Sequence, residues 1–245
     1  MTTTNSGEIT LSEFTGELLT RGDTGYDDAR RVWNGAIDRY PAFIARCHTP
    51  GDVVAGLRLA RRHGLPVAVR GGGHSIPGHS VCEGGLMLDL SPMKAITVDP
   101  HARTADVAPG VLWREFDAAA QAYGLATPGG EISDTGVAGL TLGGGIGWLS
   151  RLHGLAADNL IAAQVVTADG TVLDVDDTTD PELMWGLRGG GNFGIVTVFR
   201  FQLHDVGLVF GGMVVHPVDH AVEALQLCRD VVPSSQPRWG SSPLW

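Results

Sequence analysis

The sequence predicts an α+β fold made of two α/β subdomains, a small parallel βαβ part and a mostly antiparallel part. Three observations predict it. Phe43–Cys47, a helix opened by Thr49-Pro50-Gly51-Asp52, and Pro66–Arg70 follow one another as strand, helix and strand, an order that makes the strands parallel with a right-handed crossover. Beyond Leu86 short apolar runs alternate with turns such as Asp99-Pro100-His101-Ala102 and Ala168-Asp169-Gly170. Glycine, 35 of 245 residues, is about twice its usual share and gathers at 71–73, 84–85, 129–130, 143–147 and 189–194, as loops converging on a ligand would.

Taken in order, the polar residues 1–25 hold at most a short helix near Leu11–Leu19. Asp27–Tyr40 has Ala29, Val32, Trp33 and Ile37 at helical spacing, interrupted by Gly35. In the next helix Thr49 caps, Pro50 fits the first position and Asp52 completes a capping box; Val53, Val54, Leu57 and Ala60 face inward and Gly64 ends it. Pro66–Arg70 reads as a buried strand running into Gly71-Gly72-Gly73-His74-Ser75. That stretch is either a glycine turn with an exposed histidine or a phosphate-binding concavity, with Arg70 as a nearby positive charge.

Leu86–Leu90, Ala95–Val98 and Thr104–Val107 are strands, and Val111–Tyr123 is a helix with Leu112, Phe116, Ala119 and Ala120 on one side. Residues 128–149, rich in glycine and nearly uncharged, have no helix or sheet stability of their own and are expected to wrap against something rigid, such as a cofactor. Leu160–Thr167 and Thr171–Val175 form a hairpin, Asp180 caps a short helix to Leu187, Ile195–Leu203 and Phe210–His216 are strands, and Val218–Val232 is an amphipathic helix.

Composition limits function. The net charge of −10 argues against nucleic acid or an anionic membrane as partner. Cys47, Cys82 and Cys228 form no C-x-x-C pair, so a cytoplasmic location is expected, and Cys82 reads as a small buried filler. Neither a basic leader nor a long apolar run occurs at the N-terminus. Gly189, Gly191 and Gly194 satisfy G-x-G-x-x-G, but the motif follows a helix and enters a strand, the reverse of a dinucleotide fingerprint. His74 and His79 lie without nearby carboxylates, so no metal site is expected.

Residues 70–75 (RGGGHS), 128–154 (PGGEISDTGVAGLTLGGGIGWLSRLHG), 157–159 (ADN) and 188–197 (RGGGNFGIVT) occur in the order and spacing of a known domain. They resemble the FAD-binding domain of the berberine bridge enzyme-like flavoprotein oxidases, a type shared with the vanillyl-alcohol oxidase and p-cresol methylhydroxylase group. The resemblance covers roughly Pro41 to Val206. It implies a leader and helix over 1–40, an FAD-binding domain over 41–206, the start of an incomplete substrate domain over 207–232 and a non-family tail over 233–245, as a truncation would leave.

By the same resemblance FAD is the cofactor, contacted by Arg70, Gly71, Gly72, Gly73, Ser75 and His79, with the glycine loop's backbone amides on its pyrophosphate and His74 bonded to the flavin 8α carbon. The second covalent attachment found in many members needs a cysteine that this sequence lacks, so one link is expected. Val137, Gly139, Gly143, Gly144 and Gly147 are implied as backbone contacts, with Trp148 stacking or packing. Ile195 and Val196 are implied near the adenine. Asp158 and Asn159 read as structural residues closing a turn.

The implied reaction takes a hydride from an alcohol, sugar or amine carbon and passes electrons to oxygen. No catalytic base is identifiable, and His79 is the one candidate. Two alternatives stand beside this: a truncated FAD-binding module without turnover, and an NADPH-dependent flavin reductase of the cell-wall precursor type. The partners expected are a small-molecule substrate and oxygen, with no membrane. A homo-oligomer through the incomplete substrate domain is also expected.

Overall fold

The computed structural model describes residues 14–231 apart from 191, 208, 210, 211 and 213. Its first unit follows from the capping box. Thr49 Oγ1 accepts from the Asp52 amide at 3.1 Å, and the Asp52 carboxylate accepts from the Thr49 amide at 2.9 Å. These bonds start helix α2 (Pro50–His63) straight after strand β2 (Phe43–Arg46), and Gly64, at φ +62°, ends it. The chain returns as β3 (Val67–Arg70) and, after the glycine loop, as β4 (Leu86–Asp89).

Among the described residues β4 is inserted between β2 and β3 and runs parallel to both. All four β4 residues are buried, whereas β3 is an edge with Val67 and Val69 exposed. The expectation of a buried strand at Pro66–Arg70 is corrected accordingly: β4 takes the central place and only Ala68 of β3 is buried. Gly56 of α2 lets the helix settle on β4, since a β-carbon there would meet Leu88 Cδ2 at 2.5 Å.

Two expected helices are also corrected. Residues 11–13 lie outside the described residues, and Glu17–Leu19 forms strand β1, antiparallel to β2. The cause is Asp52, whose buried carboxylate accepts from the Thr15 amide at 2.7 Å and so draws this segment across the sheet edge. Helix α1 (Tyr26–Arg30) stops well short of Tyr40. Arg31 turns to extended backbone and the Trp33 amide donates to Gly73 O at 3.0 Å, so residues 31–40 run along the glycine loop instead.

The second unit is an antiparallel sheet of β5 (Ile96–Asp99), β6 (Thr104–Val107), β8 (Leu160–Val166), β9 (Val172–Asp176) and β10 (Ile195–Gln202), in the order β5-β6-β10-β8-β9. A small pairing of β7 (Leu125–Ala126) with β11 (His204–Asp205) lies beside it. Helix α3 (Trp113–Gln121) covers the sheet, and Trp113, Phe116, Phe199 and Phe201 form the aromatic centre of the core. Asp180 accepts from the Leu183 amide at 3.1 Å to cap α6 (Pro181–Leu187).

Residues 128–149 do contain a helix, α4 (Val137–Leu142), followed by α5 (Ser150–His153). Tertiary anchoring supplies what the local sequence lacks: the Val137 amide donates to Val111 O at 2.9 Å and Leu112 bridges Gly136. Of the strand expected at 210–216, residues 210, 211 and 213 lie outside the described residues, and 212 and 214–216 are not in a strand. Helix α7 (Ala221–Val231) forms as expected but buries none of its residues.

Candidate flavin site

Three chain segments meet at the carboxyl end of β3. A β-carbon on Gly71 would lie 2.8 Å from Pro109 O, and one on Gly72 would lie 2.5 Å from Gly136 Cα and 3.1 Å from Leu112 Cδ2. Any side chain at 72 would collide with backbone, so only glycine permits this approach. Gly73, at φ +72°, then reverses the chain and presents His74. Behind the loop Pro109 and Leu112 belong to the connection between β6 and α3, a wall that sequence reasoning missed because nothing local marks it.

Arg70 turns back under the loop. Its Nη1 donates to Ala29 O and its Nε lies 3.9 Å from buried Asp89 Oδ1. It supports the loop from beneath by these contacts. Ser75 Oγ accepts from the His79 amide at 3.1 Å, so residues 75–79 close a turn with the His79 ring exposed. The His74 imidazole stacks on Trp33, ring centroids 4.3 Å apart and planes at 24°. Its Nε2 is buried without a hydrogen-bond partner.

On the facing segment the amide of Val137 is already donated to Val111 O, while Gly139 within α4 and Gly143, which ends it, are both exposed. No atom outside its own helix lies within 4 Å of where a Gly139 β-carbon would be. The Thr141 hydroxyl is buried and unpartnered. Gly144 is buried and its carbonyl accepts from the Ala157 amide at 2.8 Å; a β-carbon on Gly147 would lie 1.7 Å from Gly129 O. Trp148 is 56% exposed, so it does not pack in the core. Cys82 is half-buried, and burial raises its thiol pKa.

Ile195 and Val196 are buried at the start of β10 and pair with Val166 and Val165 of β8. On the other flank β6 pairs only with Phe199–Gln202, leaving the backbone of 195–198 beyond the end of that ladder. That open edge lies where β6 leads into Ala108-Pro109-Gly110, which touches Gly71.

Further along, Asp158 Oδ2 accepts from the Leu155 amide at 2.8 Å and Asn159 Nδ2 donates to the His153 and Leu155 carbonyls. Both residues serve structure, closing the turn as expected. Asn159 Oδ1 also meets His204 Nε2 at 2.7 Å, and His204 stacks on His153 at 3.8 Å, a pairing with no sequence signal. Burial lowers both histidine pKa values, and the neighbouring His153 pushes His204 further from protonation. Among the described residues no three His, Cys, Asp or Glu side chains gather as metal ligands, and no helix is long and apolar enough to cross a membrane.

Chemically, side-chain-free backbone at 71–72, exposed glycines at 139 in α4 and at 143 at its end, and an imidazole nitrogen with no partner fit a pyrophosphate-bearing cofactor with a planar ring at His74. Similarity to known proteins agrees. Residues 41–176 match the family model described as FAD binding domain. The chain is 39% identical over 192 residues to (R)-6-hydroxynicotine oxidase of Paenarthrobacter nicotinovorans, covering 78% of this chain and 42% of that protein. It superposes on crystalline 6-hydroxy-D-nicotine oxidase from Arthrobacter nicotinovorans with a TM-score of 0.79 at 39% identity, covering 81% of this chain and 44% of that one.

The BBE-like 1 protein of Physcomitrella patens gives a TM-score of 0.76 at 32% identity, covering 80% and 43% respectively. The chain therefore spans less than half the length of these relatives. With more than half of its residues matched to the FAD binding domain, the chain belongs to the berberine bridge enzyme-like family of FAD-linked oxidoreductases.

Proposed function

We propose that this chain is the flavin-holding part of an oxidase that takes a hydride from an alcohol, sugar or amine carbon, with oxygen as the final acceptor. FAD, when bound, supplies the two-electron acceptor; the protein supplies position and exclusion of water. The observation that carries the reading is the Gly72–Gly136 contact beside an unpartnered His74 nitrogen.

In this reading Gly71, Gly72, Gly73 and Ser75 hold the pyrophosphate with Arg70 beneath them, and His74 holds the flavin by its single covalent link. Val137, Gly139, Gly143, Gly144 and Gly147 line the cofactor, Ile195 and Val196 offer backbone near the adenine, and His79 is the candidate for moving a proton. Residues 41–206 act as the FAD-binding domain, its two sheets as subdomains, and 207–232 begin the substrate domain. The alternative of a module without turnover has no stronger support, since the similar proteins are named as oxidases.

Two finer parts belong to the same proposal. Association of copies through α7 is supported by its exposed Val222, Leu225, Leu227 and Val231. A cytoplasmic location is supported by the free thiols of Cys47, Cys82 and Cys228. The test is an absorption spectrum of the purified chain before and after acid precipitation, with peroxide assayed against alcohols, sugars and amines. Yellow colour retained in the precipitate and peroxide release are expected; a colourless protein overturns the reading.

A further inference from the structure

Residues 29–39 clasp the histidine loop along its length. Arg70 Nη1 donates to Ala29 O, the Trp33 amide to Gly73 O, and Asn34 Nδ2 to Ile76 O at 2.8 Å. Ile37 packs on Gly78, and Arg39 Nη1 donates to the Gly78 and Val81 carbonyls at 2.7 and 3.0 Å. These contacts fix the clasp without help from the Trp33 ring. Val32 and Ile37 pack against the buried cluster of Leu19, Tyr26, Ile44, Val81 and Met87, but the Trp33 side chain is 59% exposed.

A tryptophan so exposed contributes little burial, yet its indole lies flat on the His74 imidazole. Among the described residues no hydrogen bond fixes that imidazole, so the stack sets the plane of the ring. We propose that Trp33 is the positioning residue that orients His74 for its bond to the flavin, an inference that rests on the flavin-bearing role of His74. Forming that bond joins one imidazole nitrogen to the 8α carbon with loss of two protons and two electrons, which oxygen takes up as hydrogen peroxide. An unstacked imidazole swings about its Cβ–Cγ bond and spends less time aligned, and loss of alignment by an ångström costs up to about 100-fold in rate.

The experiment uses the full chain as wild type, Trp33→Ala, Trp33→Phe and His74→Ala, each prepared free of flavin and then given FAD. Two quantities are followed: quenching of FAD fluorescence, which reads uptake, and flavin surviving acid precipitation, which reads the bond. Expected are unchanged uptake and a linkage rate about 10- to 100-fold lower in Trp33→Ala, near-wild-type linkage in Trp33→Phe, and none in His74→Ala. Equal linkage in Trp33→Ala and wild type overturns the proposal, as does an equal loss in the alanine and phenylalanine variants.

A wild type that takes up FAD but forms no acid-stable product overturns the role of His74 and this proposal together, which separates the two failures. Should Trp33→Ala lose native circular dichroism, Trp33→Leu, which keeps bulk without an aromatic face, takes its place. Slower linkage in Trp33→Leu than in Trp33→Phe then supports the proposal, and equal linkage in the two overturns it.

Discussion

Gly72 and Gly136 touch through their backbones: a β-carbon on either would lie 2.5 to 2.6 Å from main-chain atoms of the other. Neither partner is a flexible side-chain end, so relief requires the two segments to part. Gly72→Ala and Gly136→Ala are each expected to cost about 1–3 kcal/mol, read as a lower urea midpoint, and to weaken flavin retention. Gly139 sets the contrast. With open space where its β-carbon would be, Gly139→Ala in α4 is expected to gain about 0.5–1 kcal/mol while still impairing FAD uptake. Unimpaired uptake in Gly139→Ala would remove that glycine from the site.

What the sequence makes legible is local. The capping box at Thr49 and Asp52, the Asp180 cap and the hairpin closed at Ala168-Asp169-Gly170 each depend on residues a few positions apart, and each forms as read. Long-range geometry is not written that way. The insertion of β4 between β2 and β3 demotes an apolar strand to an edge, and the bond from Thr15 to Asp52 makes a strand where the polar leader offers at most a short helix. The glycine loop is visible as a motif, but its wall at Pro109 and Leu112 and its clasp at Trp33 come from segments that only folding brings together.

Asp52 combines both kinds of information, because it caps α2 and also anchors β1. Burial raises its pKa, but hydrogen bonds from Thr15, His48 and Thr49 outweigh that and leave it below the ordinary value. A depressed carboxylate contributes stability that is present above its unfolded value of 3.8 and is lost as pH falls through the folded value. Asp52→Asn is expected to lose about 1–3 kcal/mol at neutral pH, and its stability should fall less steeply in acid than that of the wild type. Urea titrations at neutral and acidic pH measure both; parallel curves would show that Asp52 does not set the acid limb.

The His153–His204 stack predicts a second pH limb, at milder acidity. Burial lowers the pKa of both; for His204 the neighbouring His153 and Arg103 lower it further and Asp205 opposes them. Histidines held neutral in the fold but protonated when unfolded give stability that is complete above 6.5 and is lost as pH falls through the lowered values. The melting temperature is therefore expected to drop between neutral pH and the onset of carboxylate protonation. His153→Phe keeps a ring against His204 and removes one titrating group, so its melting temperature should vary less over that window. An unchanged slope would show that the pair is not what titrates.

Helix α7 predicts association. Val222 and Leu227 are 66% and 60% exposed, Leu225 and Val231 somewhat less so, and no residue of the helix is buried. Burying one such side chain against a second copy is worth about 1.5–3 kcal/mol, so two or three of them meeting across a two-fold axis offset the loss of free motion at moderate concentration. Light scattering of the purified chain should give a mass that rises with concentration. Leu227→Glu places a charge on that face at no cost to the core, because the position touches none of it, and should restore a monomer. A wild-type chain that stays monomeric at every concentration would mean that the apolar face of α7 is not a self-association surface.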